Sequence, residues 1–162
     1  MNLIVAVDRN WAIGKDNSLL ESIPDDMKFF RETTTGNVVV MGRKTLESFP
    51  GGRPLKNRTN IVLTNNRAFE REGAIIVHSM DQLDDVLAQF DSDRIFVIGG
   101  ASIYRLLLNR CDTAYITKIH NEYEADTWFP NLDEKPEWEL ASCSDTREYQ
   151  DLTYCFCTYK KR

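Results

Sequence analysis

Short apolar runs separated by polar segments are the feature that most narrows what this chain can fold into. Residues 3–8, 38–41 and 95–98 are too apolar to alternate between polar and apolar side chains. Strands of this kind are buried on both faces, which is typical of parallel sheets covered by helices. Each run is far shorter than the ~20 residues that a membrane helix needs. The pattern therefore predicts an α/β fold with no membrane span and residues 3–8 as a central strand.

Helical segments are predicted between these runs. Pro24 suits a first helical position, and Ser79 caps a segment in which Leu83, Leu87 and Phe90 recur at helical spacing. The predicted strands are 3–8, 38–41, 60–64, 74–77, 95–98, 113–119, 138–143 and 152–159, and the predicted helices are 24–35, 42–49, 79–90 and 99–108. This order predicts a mainly parallel twisted eight-stranded sheet with an antiparallel C-terminal edge, flanked by about four helices. We expect a single domain over residues 1–162.

Composition narrows the classes of partner. The chain has 20 Lys and Arg against 25 Asp and Glu, and its isoelectric point is about 5.1. A general polyanion surface is not indicated, so we expect no nucleic-acid partner, and any phosphate site must be local. The first eight residues lack a basic segment and a long apolar segment, and they are typical of a strand instead of a signal peptide. A cytoplasmic protein is expected.

The four cysteines show no C-x-x-C spacing, and the chain has only two histidines. A structural zinc site usually has closer ligand spacing than this, so we expect no metal site. Cys155 and Cys157 are two residues apart in a predicted strand and therefore share a face. The pattern favours small buried thiols.

The predicted helix that starts near Pro24 places one carboxylate inward. At 3.6 residues per turn, Asp26 shares a face with Phe29 and Phe30, whereas Asp25 lies on another face. Acidic residues in a first helical turn often only stabilise the helix, through their interaction with the helix dipole. A buried carboxylate in a ligand site is the alternative, and the helix alone does not decide between them.

Three further segments fall near strand ends, where α/β sheets bind ligands. Residues 9–21 form a long connection, which is typical of either a lid or a plain surface loop. Gly42, Arg43 and Lys44 join a strand to a helix and favour local anion binding, although they do not form a Walker A loop. Gly99-Gly100 allow close approach of a pyrophosphate or simply a tight turn. Their convergence predicts a ligand site.

Motifs along the whole chain are shared with one enzyme family. They are Ala6, Ile13-Gly14-Lys15-Asp16-Asn17, Ile23-Pro24-x-Asp26, Phe30, Met41-Gly42-Arg43-Lys44-Thr45, Arg53-Pro54-Leu55, Arg58-x-Asn60-Ile61, Ile98-Gly99-Gly100-Ala101-x-Ile103-Tyr104, Tyr115-Ile116-Thr117-Lys118-Ile119, Asp126-Thr127-x-Phe129-Pro130 and the tail from Tyr154 to Arg162. In this order and spacing the chain resembles dihydrofolate reductase of the bacterial chromosomal type. The resemblance implies an oxidoreductase of one-carbon metabolism and tetrahydrofolate biosynthesis, and an antifolate target. It implies hydride transfer from NADPH to C6 of 7,8-dihydrofolate, with protonation of N5.

The resemblance also implies roles for individual residues. Asp26 would be the acid beneath the pterin, and Thr117 would support the same edge. The substrate pocket would comprise Ile4, Ala6, Phe30, Phe49, Leu55 and, on the substrate's α-carboxylate, Arg58. The NADPH site would comprise Ala6, Ile13, Gly14, Gly42, Arg43, Lys44, Thr45, Thr64, Asn65, Gly99, Gly100, Ala101, Ser102, Ile103 and Tyr104. Cations near the 2′-phosphate would favour NADPH over NADH.

Residues 9–23 would then form a mobile lid, including Asn17, Leu19, Leu20 and Glu21, which Asp126 would hold closed. The chain departs from the family pattern here, because Leu20-Glu21 stands where the family commonly has Pro-Trp. We weigh two hypotheses for Glu21. It points to solvent with a water in the place of the indole, or it enters the pocket and couples to Asp26. The first is favoured, since burial of a second carboxylate is costly.

Two rival functions differ from this interpretation. One is a related pterin or pyrimidine reductase of the same architecture, against which Asp26 and Arg58 argue together. The other is a nucleotide-binding module without catalysis. For the family interpretation we expect dihydrofolate as a small-molecule substrate and a monomeric protein.

Overall fold

The computed structural model describes residues 1–16 and 18–162. The strands are β1 (Asn2–Val7), β2 (Ala12–Lys15), β3 (Ser18–Leu19), β4 (Val38–Gly42), β5 (Thr59–Leu63), β6 (Ala74–Val77), β7 (Ile95–Gly99), β8 (Thr113–Ile119), β9 (Thr127–Trp128), β10 (Trp138–Cys143), β11 (Arg147–Tyr149) and β12 (Leu152–Lys161). The α-helices are α1 (Pro24–Thr34), α2 (Arg43–Glu47), α3 (Met80–Leu87) and α4 (Ala101–Leu107). Within the described ranges, no helix has the length and hydropathy to cross a membrane.

One large twisted sheet organises the molecule. Its strands lie in the order β10-β12-β8-β1-β7-β4-β5-β6, and β11 pairs with β12 at one end. The pairs from β8 to β6 are parallel, while β12 runs antiparallel to β8, β10 and β11. The fold class predicted from the sequence is confirmed, with β1 at the centre and the antiparallel strands at the C-terminal edge.

The central strands are buried because helices cover both faces of the sheet. All four apolar side chains of β4 from Val38 to Met41 are fully buried. Val38 and Val40 join the larger core cluster, whereas Val39 and Met41 join a second cluster with Leu46 of α2. Alternate residues of one strand thus feed cores on opposite faces, which explains why the strand is continuously apolar.

The connection after β1 differs from its expected irregular form. It contains β2 and β3, which form a separate three-stranded sheet with β9. Ala12 pairs with Trp128 and Gly14 with Thr127, so the partner strand lies more than one hundred residues away. Strands of two to four residues carry no readable alternation, which is why local periodicity missed them.

Helix boundaries also shift slightly. α1 begins at Pro24 with Ile23 at the N-cap, and no side chain caps it. α3 ends at Leu87 instead of Phe90, because the next three residues continue as a tighter turn in which Gln89 and Phe90 donate to carbonyls three residues back. The Ser79 cap is present, and its hydroxyl accepts from the Gln82 backbone N–H at 3.1 Å.

The cysteines require a correction. Cys157 was expected to be a free thiol, but the structure joins it to Cys143 in a disulfide. The antiparallel register of β10 and β12 places these two residues directly opposite one another. Register between distant strands is not visible in residue spacing, so the pairing could not be foreseen. Cys111 and Cys155 are buried free thiols.

Candidate active site

Asp26 lies in the first turn of α1 and reaches the sheet. Its Oδ1 accepts a hydrogen bond of 2.6 Å from the Thr117 hydroxyl on β8. Burial raises the pKa of the Asp26 carboxyl, and the Thr117 hydrogen bond opposes that rise. Thr117 is the neighbour of Ala6 in the parallel pairing of β1 and β8. Helix α1 and two central strands therefore place one carboxyl of raised pKa above the middle of the sheet.

The adjacent carboxyl has different surroundings, as the helical spacing predicted. Asp25 is in an exposed position, and its Oδ2 accepts from the Tyr154 hydroxyl at 3.0 Å. Asp26 instead shares its side of α1 with half-buried Phe29 and Phe30. The two acids thus occupy separate environments, and only Asp26 faces Thr117.

The residues expected to line the substrate pocket come from several elements. Ile4 and Ala6 lie on β1, and Phe30 lies on α1. Ala6 packs against the cluster around Ile23 and Tyr154. The half-buried Phe49 and Leu55 follow α2 and pack against the cluster that contains Leu46 and Met41. These apolar side chains therefore lie on the same side of the sheet as Asp26. Ile4, Ala6 and Phe30 come from β1 and α1, and Phe49 and Leu55 come from the segment after α2.

Arg58 is held at the other end of α1. Its Nη1 donates to the Thr34 hydroxyl at 3.1 Å, and its Nε donates to the Lys56 carbonyl at 2.9 Å. Burial and the nearby charge of Arg31 lower the pKa of the guanidinium. Asp26 and Thr34 are eight residues apart in one helix, which corresponds to about 12 Å along its axis. An acid and an oriented cation therefore mark the two ends of α1.

A glycine-lined surface lies beside these residues, where β4 and β7 end. Met41 is the register partner of Gly99, and Gly42 and Gly100 follow. The Gly99–Gly100 peptide bond is cis. A Cβ at Gly100 would lie 3.7 Å from Thr45 Oγ1 and one at Gly42 would lie 3.1 Å from the Ile103 side chain. Glycine at position 42 therefore lets Ile103 of α4 pack closely, and Gly42 and Gly100 are both half-buried.

The residues expected around this surface occupy different environments. Ile13, Gly14, Ile103 and Tyr104 are buried, and the Tyr104 hydroxyl donates to the Ile4 carbonyl at 2.7 Å. Thr45 and Ala101 are half-buried, while Lys44 and Ser102 are exposed. Arg43 forms an ion pair of 2.9 Å with Glu47, one turn along α2. The surface therefore combines buried packing groups with cations at its outer edge.

His78, which the sequence did not predict as a site residue, lies at the same edge of the sheet. Thr64 follows β5, and its carbonyl lies 3.0 Å from Nδ1 of His78, the residue that follows β6. Asn65, next to Thr64, is exposed. The sequence signal for His78 was its place immediately after a predicted strand, because strand ends of a parallel sheet meet at one edge.

The segment after β1 is tied to the loop that precedes β9. The Asp16 backbone N–H donates to Asp126 Oδ2 at 2.9 Å, and the Asp126 N–H donates to the Gly14 carbonyl at 3.1 Å. The Asp16 hydrogen bond lowers the pKa of Asp126. Lys15 and Glu124 add an ion pair of 2.7 Å. Asn17 of the predicted lid lies outside the described residues, and Leu19 is exposed.

Glu21 takes a position that neither hypothesis described. Its Oε2 accepts from the Tyr123 hydroxyl at 3.1 Å, and the residue is half-buried, as is its neighbour Leu20. The rise in the pKa of Asp26 has burial as its cause, and Glu21 does not contribute to it. Glu21 thus contacts the loop before β9, as Gly14 and Asp16 do, but through Tyr123, for which the local sequence offered no signal.

Comparisons with known proteins agree with this architecture. A family model described as dihydrofolate reductase matches residues 1–161. The dihydrofolate reductase of Bacillus subtilis is 40% identical over 164 residues, covering 100% of this chain and 95% of the relative. That of Haemophilus influenzae is 44% identical over 139 residues, covering 86% and 83%. The structure of dihydrofolate reductase from Enterococcus faecalis complexed with NADP(H) and RAB-propyl superposes with a TM-score of 0.87, at 34% identity and 99% and 95% coverage. The chain belongs to the dihydrofolate reductase family.

Proposed function

We propose that Asp26 is the acid of a dihydrofolate reductase site built at the C-terminal ends of the central strands. The chain is an NADP-dependent oxidoreductase that reduces 7,8-dihydrofolate to 5,6,7,8-tetrahydrofolate. The observation that carries the residue assignment is the contact of Asp26 with Thr117, beside the glycine-lined surface. It places a carboxyl of raised pKa beside backbone that carries no side chains.

The glycine-lined surface fits NADPH. Gly42 and Gly100 are half-buried and carry no side chain, so a pyrophosphate would meet backbone where α2 and α4 begin. The bound cofactor supplies a hydride from its nicotinamide C4 to C6 of the pterin. Besides Gly42, Gly99 and Gly100, the assigned NADPH residues are Ala6, Ile13, Gly14, Arg43, Lys44, Thr45, Thr64, Asn65, Ala101, Ser102, Ile103 and Tyr104. Arg43 and Lys44 supply positive charge for the 2′-phosphate.

Asp26 binds the 2-amino group and N3 of the pterin and promotes protonation of N5. Because burial raises its pKa, the carboxyl retains a proton at a higher pH than an exposed aspartate does. The Thr117 hydroxyl fixes the orientation of the carboxyl. The chain's contribution to the reaction is thus positioning together with control of one proton.

The rest of the substrate lies along α1. Ile4, Ala6, Phe30, Phe49 and Leu55 line the pterin and aminobenzoyl portions. Ile4 is buried and the other four are half-buried, so the bound substrate completes an apolar environment that excludes water. At the far end of α1, the planar fork of Arg58 binds the α-carboxylate, and its hydrogen bonds to Thr34 and Lys56 orient it for that contact.

Residues 9–23 form the lid of this site. The contacts of Gly14 and Asp16 with Asp126, and of Glu21 with Tyr123, hold the described part of the lid against the loop before β9. Closure of such a segment excludes water from the transferring hydride. We also propose that the chain is a single-domain, monomeric, cytoplasmic enzyme.

A cofactor-oxidation assay tests the function. Purified protein is mixed with NADPH or NADH, each with and without 7,8-dihydrofolate, and loss of nicotinamide absorbance is followed. We expect oxidation only when dihydrofolate is present, and faster with NADPH than with NADH. Oxidation with a different pterin or pyrimidine alone would favour the related-reductase hypothesis. Binding of NADPH without oxidation by any substrate would favour a module without catalysis.

A further inference from the structure

Three cysteines form a cluster on the antiparallel edge of the sheet. The Sγ atoms of Cys143, Cys155 and Cys157 all lie within 4.8 Å of one another, and we call this group the sulfur cluster. Cys143 is in an exposed position, while Cys155 and Cys157 are buried. The cluster is therefore an otherwise buried group with one member at the surface.

Strand register explains how the cluster forms. Cys143 of β10 lies opposite Cys157 of β12, and these two residues form the disulfide. Cys155 is two residues before Cys157 on the same face of β12, and their sulfur atoms are 3.6 Å apart. Four-coordinate zinc with Zn–S bonds of about 2.3 Å separates its thiolates by about 3.8 Å. The separation between Cys155 and Cys157 already fits such a site.

His120 orients the buried thiol. Its Nδ1 lies 3.1 Å from the Thr153 hydroxyl, and its Nε2 lies 3.7 Å from Cys155 Sγ. The tautomer with its proton on Nδ1 donates to Thr153 and presents the lone pair of Nε2 to the Cys155 S–H. Once Cys155 is a metal-bound thiolate it has no proton to donate, so His120 must carry its proton on Nε2 and donate to Sγ, while the Thr153 hydroxyl donates to Nδ1. A donor of this kind, outside the ligand atoms themselves, commonly fixes the geometry of a metal site.

The sulfur cluster lies on the opposite face of the sheet from the candidate active site. Cys155 pairs with Lys118 and Cys157 with Ile116, whereas Thr117 between them points to the other face, toward Asp26. Side chains alternate along a strand, so the two sites are separated by the thickness of the sheet. Occupation of one does not require contact with the other.

We propose that reduction of the Cys143–Cys157 disulfide converts the sulfur cluster into a three-thiolate site for one soft divalent cation, such as Zn²⁺. Reduction breaks the S–S bond, and two electrons and two protons give the two thiols. A phosphine supplies the electrons and becomes its oxide, taking its oxygen from water. Cation binding then displaces the thiol protons to solvent and forms three metal–sulfur bonds. The exposed position of Cys143 provides the route of entry.

The test uses the full-length protein and Cd²⁺ as the probe. Protein is reduced with a water-soluble phosphine, freed of reductant without oxygen, checked by thiol counting and circular dichroism, and titrated with Cd²⁺ while thiolate-to-metal absorbance is followed. We expect one Cd²⁺ per reduced chain and none in the disulfide form. Zn²⁺ binds thiolates more weakly than the softer Cd²⁺, so it should displace the probe and reduce its absorbance only when Zn²⁺ is in large excess.

Matched variants separate this site from adventitious binding. Cys155→Ser should weaken Cd²⁺ binding by about 100-fold or more, and His120→Ala by about 10- to 100-fold. Cys111→Ser removes a buried thiol outside the sulfur cluster and should leave affinity and stoichiometry unchanged. Equal binding by wild type and Cys155→Ser would overturn the proposal. So would failure of the disulfide to be reduced while the protein stays folded.

Discussion

Asp26 and Glu21 are carboxylates five residues apart, but different parts of the fold hold them. Asp26 is anchored in α1 against Thr117 on a central strand, and burial raises its pKa. Glu21 is half-buried in the lid and is bound by Tyr123 on another loop. Contact with the sheet, and not proximity in sequence, therefore distinguishes the carboxyl that meets Thr117 from the one that meets Tyr123.

The largest contrast between the two carboxyls should appear in turnover. Asp26→Asn removes the acid and should reduce kcat with dihydrofolate at neutral pH by about 10²- to 10⁴-fold, the usual contribution of general acid catalysis. Glu21→Gln should leave kcat within a few-fold of wild type, and Asp25→Asn is the matched control on α1. Similar losses of kcat in the Asp26 and Glu21 variants would contradict the different roles assigned to the two carboxyls.

A second prediction concerns Arg58, which lies at the end of α1 opposite Asp26. Arg58→Lys keeps the charge but loses the planar fork, and charge-assisted hydrogen bonds contribute about 1.5–3 kcal/mol. We expect KM for dihydrofolate to rise by about 10- to 100-fold with little change in kcat or in KM for NADPH. Arg31→Lys, at an exposed position on α1, serves as the control. A loss confined to kcat would contradict the assignment.

A third prediction concerns the hydroxyl that holds Asp26. The Thr117 hydrogen bond lowers the pKa of Asp26, so Thr117→Val should raise that pKa further. The protonated acid then persists to higher pH, and the falling limb of the pH–rate profile should move to higher pH. The change in kcat at neutral pH should stay within about tenfold, as expected for one hydrogen bond. A limb that moves to lower pH would show that the hydroxyl acts differently.

The smallest effect is expected at the lid. Tyr123→Phe removes the hydrogen bond to Glu21 and should accelerate NADPH release by about two- to fivefold, without a change in the pH–rate profile. In a double-mutant cycle, Tyr123→Phe combined with Glu21→Gln should add little to either single change, because both remove the same contact. Stopped-flow release kinetics measure this. Fully additive effects would mean that Glu21 has another partner that matters more.

Local patterns were sufficient for the large sheet and for Asp26. The continuous apolar run from Val38 to Met41 identified a strand buried on both faces, and helical spacing placed Asp26 inward and Asp25 outward. These features depend on residues that are close in sequence. Both burial and helical or strand periodicity can therefore be predicted from the local order of apolar and polar residues.

Features that depend on distant register were not predictable in the same way. The pairing of β2 with β9 and the contact of Tyr123 with Glu21 join the lid to residues about one hundred positions away. The disulfide between Cys143 and Cys157 follows from the alignment of β10 with β12. Short strands and cross-strand contacts leave little trace in spacing, so only the folded structure reveals them.

The role of Asp26 is tested most directly by the pH dependence of hydride transfer in single turnovers. Enzyme in excess over NADPH, either wild type or Asp26→Asn, is mixed with excess dihydrofolate across a range of pH, so that each NADPH is oxidised once. Because burial raises the pKa of Asp26, the protonated fraction falls as pH rises through that pKa, and the wild-type rate should fall with it. The residual rate of the variant should lack this fall. A variant that retained the wild-type profile would show that another group supplies the proton.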